Sequence, residues 1–213
     1  MNYALNRDRW RDPEVAARYD QRRFFGRFGR IKHARDARLV LSLLGELGAG
    51  ADLRTVLDMP AGTGRLWPEL AAAGLRVVAL DLSKAMLLAS GERRADALGL
   101  VQAEGERLPL PDKAVDAAVS MRFLFHVDDA PARARILGEL ARVSRRGVIG
   151  QVRWGATAKH LARRARRHQK LRPALCRESL EQELGASGLE LRAVRPVSRL
   201  FSDKALFLAR PTG

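Results

Sequence analysis

The sequence predicts an α/β fold, a doubly wound and mainly parallel sheet of seven strands with an antiparallel strand at its C-terminal end. Three observations predict it. Short unbroken apolar runs recur from residue 53 onward and alternate with amphipathic segments of helical period, as in a parallel sheet covered on both faces. The first of these runs meets its helix at a glycine-rich turn, and the second at a serine. After residue 189 the alternation stops, and two strand-like runs follow with no helix between them. Right-handed crossovers join the earlier strands, and the last two form an antiparallel hairpin closing one sheet edge.

Taken in order, "PEVAARYDQRRF" (13–24) reads as a helix with proline in its first turn. Residues 31–47 read as a second helix with Leu39, Leu43, Leu44 and Leu47 on one side. "LRTVLDM" is a buried strand, "GRLWPELAAAG" a helix closed by Gly74, and "LRVVALDL" the next strand. "SKAMLLASGERRA" is a helix with Ser83 as its N-cap. "LGLVQAE" and "AVDAAVSMRF" supply strands three and four, "APARARILGELARVS" an amphipathic helix, and "RGVIGQVRW" the fifth strand. A helix over 177–187 precedes the hairpin "LELRAVRPV" and "SRLFSDKALFLAR". The chain therefore divides into N-terminal helices covering the site (1–49), a ligand-binding core (50–155), a basic insert (156–175) and a C-terminal helix and hairpin (176–213), all within one domain (1–213).

Composition bounds the function. A chain of 213 residues fits one domain, and 46% hydrophobic residues argue for a packed core. No apolar run approaches the roughly 20 residues of a membrane span. "MNYALNRDRWRD" lacks the apolar stretch of a secretory signal, so the expected location is cytoplasmic. The single cysteine, Cys176, cannot form an internal disulfide and is expected half-buried on a helix, and no Cys/His cluster has zinc spacing. The net charge of +15 is local: residues 140–177 carry +12 and contain no Asp or Glu, whereas 39–139 carry −3. Such a segment favours anionic partners.

The first strand ends in "LDMPAGTGR" (57–65), and ligands of open parallel sheets sit beyond such carboxyl ends. Gly62 and Gly64 permit positive φ and a close backbone approach to a ligand. A dinucleotide fingerprint would need a third glycine where Trp67 stands, and the lysine of a P-loop is absent. Asp81 ends the second strand, where a carboxylate can accept both hydroxyls of a ribose, and Glu104 follows the third, within reach of an adenine amino group. Taken singly, Asp58 also suits a turn cap, Asp81 a helix N-cap and Glu104 a solvated loop. Three such tips in succession describe an adenosine-shaped slot.

Together these residues resemble the class I S-adenosylmethionine-dependent methyltransferases, of the type 11 methyltransferase domain kind, over about residues 50–155. Asp58, Gly62 and Gly64 match the first motif, D-x-G-x-G-x-G, in which Pro60 replaces the first glycine. "LSKAML" resembles the segment after the ribose acid, and "AEGERLPLPD" resembles G-D-A-x-x-L-P-F-x-D with Glu104 in place of aspartate. The resemblance implies a Rossmann-like fold and S-adenosylmethionine as cofactor. It implies Asp58, Pro60, Ala61, Gly62, Gly64, Asp81, Leu82, Met86, Glu104, Gly105, Glu106 and Met121 as cofactor-binding residues, although Met86 equally suits a core position. The activity implied is methyl transfer. An RNA methyltransferase and a binding protein without catalysis stand as alternatives.

Such a transfer needs a base only where the acceptor must lose a proton, and His126 is the candidate. Packing beside Phe123 and Phe125 is its structural alternative. Arg122 in the same loop suits an anionic acceptor or a structural salt bridge. Lys159, Arg163, Arg166, Arg167 and Lys170 fall on one helical face of the basic insert. That face suits an anionic substrate, a membrane surface or nucleic acid, or it is simply solvated. A small or lipid-like acceptor is preferred, because the catalytic domain uses almost all of the chain. No metal is expected.

Overall fold

A computed structural model describes residues 11–20, 26–48, 52–165, 174–198 and 200–213. Its sheet contains β1 (Thr55–Asp58), β2 (Arg76–Asp81), β3 (Ala97–Gln102), β4 (Val115–Ser120), β5 (Ser144–Arg153), β6 (Leu189–Pro196) and β7 (Lys204–Pro211), in the order β3-β2-β1-β4-β5-β7-β6. Strands β1 to β5 are parallel, and β7 runs antiparallel between β5 and β6. The hairpin closes the edge with β6 outermost. From β1 the chain winds outward through β2 and β3, then returns to place β4 on the other side of β1. The crevice where ligands bind in such sheets lies at this reversal.

Alternation along the strands sends neighbouring residues to opposite faces. After the short α1 (Pro13–Ala17), α2 (Gly26–Gly48) and α3 (Trp67–Ala72) build the layer that Val56, Val77, Ala117 and Leu206 face, where Val40, Leu43, Leu44, Leu47, Trp67 and Leu70 are buried. Leu57, Leu80, Ala118 and Phe207 face α5 (Ala130–Val143) and α7 (Arg177–Gly185) through Ile136, Leu137, Leu140, Leu180 and Leu184. Both faces are covered, so the strands read as continuous apolar runs.

Some boundaries differ from expectation. Helix α2 begins at Gly26, earlier than residue 31. The helix opened by Ser83 breaks after α4 (Lys84–Leu88): Ser90 Oγ donates to the Leu87 carbonyl at 2.6 Å, Gly91 takes φ +59°, and a 3₁₀ helix, Gly91–Asp96, follows. The first helix ends at Ala17, with Asp12 capping it by accepting from Glu14 N at 2.8 Å, and residues 21–25 lie outside the described residues. Cys176 is exposed at the N-cap of α7, where its backbone N–H donates to Ser179 Oγ at 3.0 Å, and is not half-buried within the helix. Among the described residues, no helix is long and apolar enough to cross a membrane.

Candidate active site

A cleft enclosing about 1270 Å³, its open mouth included, lies over the carboxyl ends of β1, β2 and β4. Its floor is the turn after β1. The Ala61 amide donates to the Leu80 carbonyl at 2.8 Å, and the Gly62 amide donates to Asp81 Oδ2 at 2.8 Å. The first turn is therefore fastened to the tip of β2. Gly62 takes φ +58°, and a Cβ there would meet Met86 Cε at 3.5 Å. Its N–H is committed to Asp81, so the glycine shapes the cleft without offering that donor to a ligand.

Asp58 is 3% exposed, and the Trp67 indole N–H donates to its Oδ2 at 2.9 Å. Burial pushes its pKa up from 3.8 to about 7, with Asp81 adding to the rise while Trp67 and Arg65 oppose it. Asp81 is 7% exposed and accepts the Gly62 and Ser83 amides, one on each oxygen, at 2.8 Å. Burial raises its pKa as well, against the pull of those two amides. Each Asp81 oxygen retains a further lone pair for a ligand hydroxyl. The N-cap itself is Ser83, whose Oγ accepts from Met86 N at 3.1 Å.

Of the residues predicted from sequence, Asp58, Pro60, Ala61, Gly62, Asp81, Leu82, Met86, Glu104, Gly105, Met121, Arg122 and His126 line this cleft. Three do not. Gly64 stands behind it: at φ +70°, a Cβ there would lie 2.3 Å from the Trp67 ring, so the glycine clears space for the tryptophan that Asp58 holds. Glu106 turns away to Arg135, at 2.8 Å. Lys159, in α6 (Ala158–Ala165), donates to the Phe201 carbonyl at 3.3 Å, away from the cleft. Arg166 and Arg167 lie outside the described residues, as does the side chain of Arg163.

Sequence reasoning missed several lining residues, among them Tyr19, Thr63 and Arg65. Tyr19 arrives through a latch. Asp20 accepts from Thr63 Oγ1 at 2.8 Å and from Arg93 Nη2 at 2.7 Å, while Arg93 Nη1 donates to the Thr63 carbonyl at 2.6 Å. Arg65 belongs to a buried ionic chain in which Asp36, 2% exposed, lies 3.7 Å from Arg65 and 3.9 Å from Arg122. His33 of α2 touches Arg65 through Nδ1 and Glu69 through Nε2. Arg122, a non-glycine residue at φ +60°, is thereby held at the cleft wall. Sequence spacing gives no signal for partners this far apart.

Residues 57–149 match the methyltransferase domain family. That stretch is the one that reads as a methyltransferase domain. The chain is 34% identical over 134 residues to a demethylmenaquinone methyltransferase of Renibacterium salmoninarum, covering 63% of this chain and 52% of that one. It is 38% identical over 110 residues to a malonyl-[acyl-carrier protein] O-methyltransferase of Serratia marcescens, covering 50% of this chain and 40% of that one. The chain thus spans about half or less of the length of these relatives. Its fold is that of the magnesium protoporphyrin IX methyltransferase of Synechocystis PCC 6803 with bound SAH, at a TM-score of 0.74 and 18% identity, covering 97% of this chain and 98% of that one.

The cleft fits S-adenosylmethionine, the cofactor that the sequence resemblance implies. Two buried carboxyl groups on the floor favour a ligand bearing positive charge, as a sulfonium does, and Asp81 keeps acceptor capacity for ribose hydroxyls.

Proposed function

We propose that the protein transfers a methyl group from S-adenosylmethionine to a small or lipid-like acceptor carrying an anionic group. The observation that carries this reading is that the same cleft is lined by the cations Arg65 and Arg122 as well as by the buried carboxyl groups of Asp58 and Asp81. The two named relatives differ in acceptor, so the acceptor class is read from this chain's own side chains. Met59, Leu66, Met121 and Phe123 give the same cleft an apolar lining.

When bound, the cofactor supplies an activated methyl on a sulfonium, which needs no enzyme nucleophile. The protein contributes position and dryness. Asp81 would hold the ribose hydroxyls and Glu104 the adenine amino group, while Met86 lies against Gly62. Tyr19, drawn in by the Asp20 latch, narrows the mouth and limits water. His126, on the cleft wall, takes a proton where the acceptor must lose one.

Incubation with methyl-labelled cofactor and fractionated cell extract tests the reading. Label should enter an acidic, solvent-extractable small-molecule or lipid fraction. Label confined to RNA or protein would overturn the acceptor assignment, and no transfer despite tight cofactor binding would overturn the activity.

A further inference from the structure

A second concentration of charge lies behind Phe125. Lys204 opens β7 opposite Arg153, the last residue of β5, so both stand at the carboxyl edge of the sheet where the cleft opens. The Lys204 ammonium sits 4.0 Å from the centroid of the Phe125 ring, and the Arg153 guanidinium 5.6 Å from it. Phe125 in turn lies 4.4 Å, centroid to centroid, from His126 of the cleft wall.

Burial pushes the Lys204 ammonium down to about 7, helped by repulsion from Arg122 on the wall, Lys32 of α2 and Arg153 of β5, and opposed by Asp203. Asp203 is itself engaged by Arg153 at 2.7 Å. A fold that gathers like charges at a half-buried point bears a cost that an incoming anion relieves. Arg122, which lines the cleft, adds to the positive field at Lys204. Just before Lys204, Leu200 and Phe201 are 64% and 78% exposed, giving an apolar approach.

We infer that Lys204, standing with Arg153 over the Phe125 ring at the edge where the cleft opens, forms a subsite for the carboxylate or phosphate head of an amphiphilic acceptor whose apolar body lies over Leu200 and Phe201. The occupant's being an acceptor rests on the methyltransferase function proposed above. A bound anion favours the ammonium form, so above pH 7 its binding takes up a proton at Lys204. Arg153 and Arg122 stay charged throughout and do not contribute to that uptake.

Calorimetry on the full chain, saturated with S-adenosylhomocysteine, tests this with octanoate, octyl phosphate and octanol as probes, at pH 8 in two buffers of different ionisation enthalpy. One or both anions should bind about tenfold or more tightly than octanol, the scale of one charge-assisted hydrogen bond. The tighter anion names the head group. Binding should take up about one proton. Lys204→Gln should lose both the preference and the uptake, whereas Lys204→Arg should keep the preference and lose the uptake. Equal binding of octanol and both anions in the unaltered protein would overturn the subsite. So would proton uptake that survives in Lys204→Gln. Failure of S-adenosylhomocysteine to bind at the outset would instead strike the methyltransferase reading, so the two failures are distinct.

Discussion

Replacing Asp81 with asparagine tests the cofactor site at its most heavily used side chain. The carboxylate receives the Gly62 amide on one oxygen and the Ser83 amide on the other, both at 2.8 Å. Asparagine keeps the shape but has one acceptor oxygen, so its NH₂ must face one of those two N–H groups. Orphaning a buried amide costs about 1–3 kcal/mol, and the unliganded variant should lose stability by that amount. Cofactor affinity falls further through two effects. Hydrogen bonds to a neutral acceptor are about half as strong as those to a charged one, and the turn carrying Gly62 is no longer fastened to β2. Together these effects predict weaker S-adenosylhomocysteine binding by about 1–3 kcal/mol, roughly 5- to 150-fold. Titration calorimetry gives the affinity and thermal denaturation the stability. Asp81→Asn with unchanged affinity but lowered stability would show a carboxylate serving only the turn, and the ribose assignment would fail. Because burial raises this pKa, affinity in the unaltered protein should also decline as pH falls through it, and that decline should vanish in the variant.

Asp58 and the two turn glycines give further outcomes. The folded pKa of Asp58, about 7, lies above its ordinary 3.8, so its contribution to stability is complete below pH 4 and is lost as pH rises through 7. Asp58→Asn removes that titration while keeping an acceptor for Trp67. In urea denaturation, its stability relative to the unaltered protein should improve from pH 4 to pH 8 by up to about 4 kcal/mol, and a constant difference across that window would refute the burial argument. Gly64→Ala forces a Cβ to 2.3 Å from the Trp67 ring at φ +70°, and should destabilise by about 2–5 kcal/mol from overpacking and backbone strain. Gly62→Ala, with 3.5 Å to Met86, should cost about 1–2 kcal/mol of strain yet weaken S-adenosylhomocysteine binding more than Gly64→Ala does. The reverse order in melting and calorimetry would place the ligand against the wrong glycine.

What the sequence disclosed and what it concealed follow from the range of the interactions involved. The sheet and the acids Asp58, Asp81 and Glu104 were legible because apolar period fixes where a strand ends, and the residue at that end inherits the crevice. Gly64 misled because glycine permits both a ligand approach and a neighbouring ring, and only packing distinguishes a cofactor from Trp67. The Asp36 contacts with Arg65 and Arg122 had no local signature: α2 reads as an amphipathic helix whether its buried aspartate meets two arginines or none. Charge misled most. The dense basic run after residue 155 drew attention to Lys159, yet that side chain reaches the Phe201 carbonyl outside the cleft. Lys204 stands isolated in sequence beside Asp203 and gains positive neighbours only because β7 is threaded antiparallel between β5 and β6. A parallel β7 in the same position would carry its first residue to the opposite edge, away from Arg153, Arg122 and Phe125. The positive cluster around Lys204 is therefore a product of strand order, which net charge and local charge density do not encode.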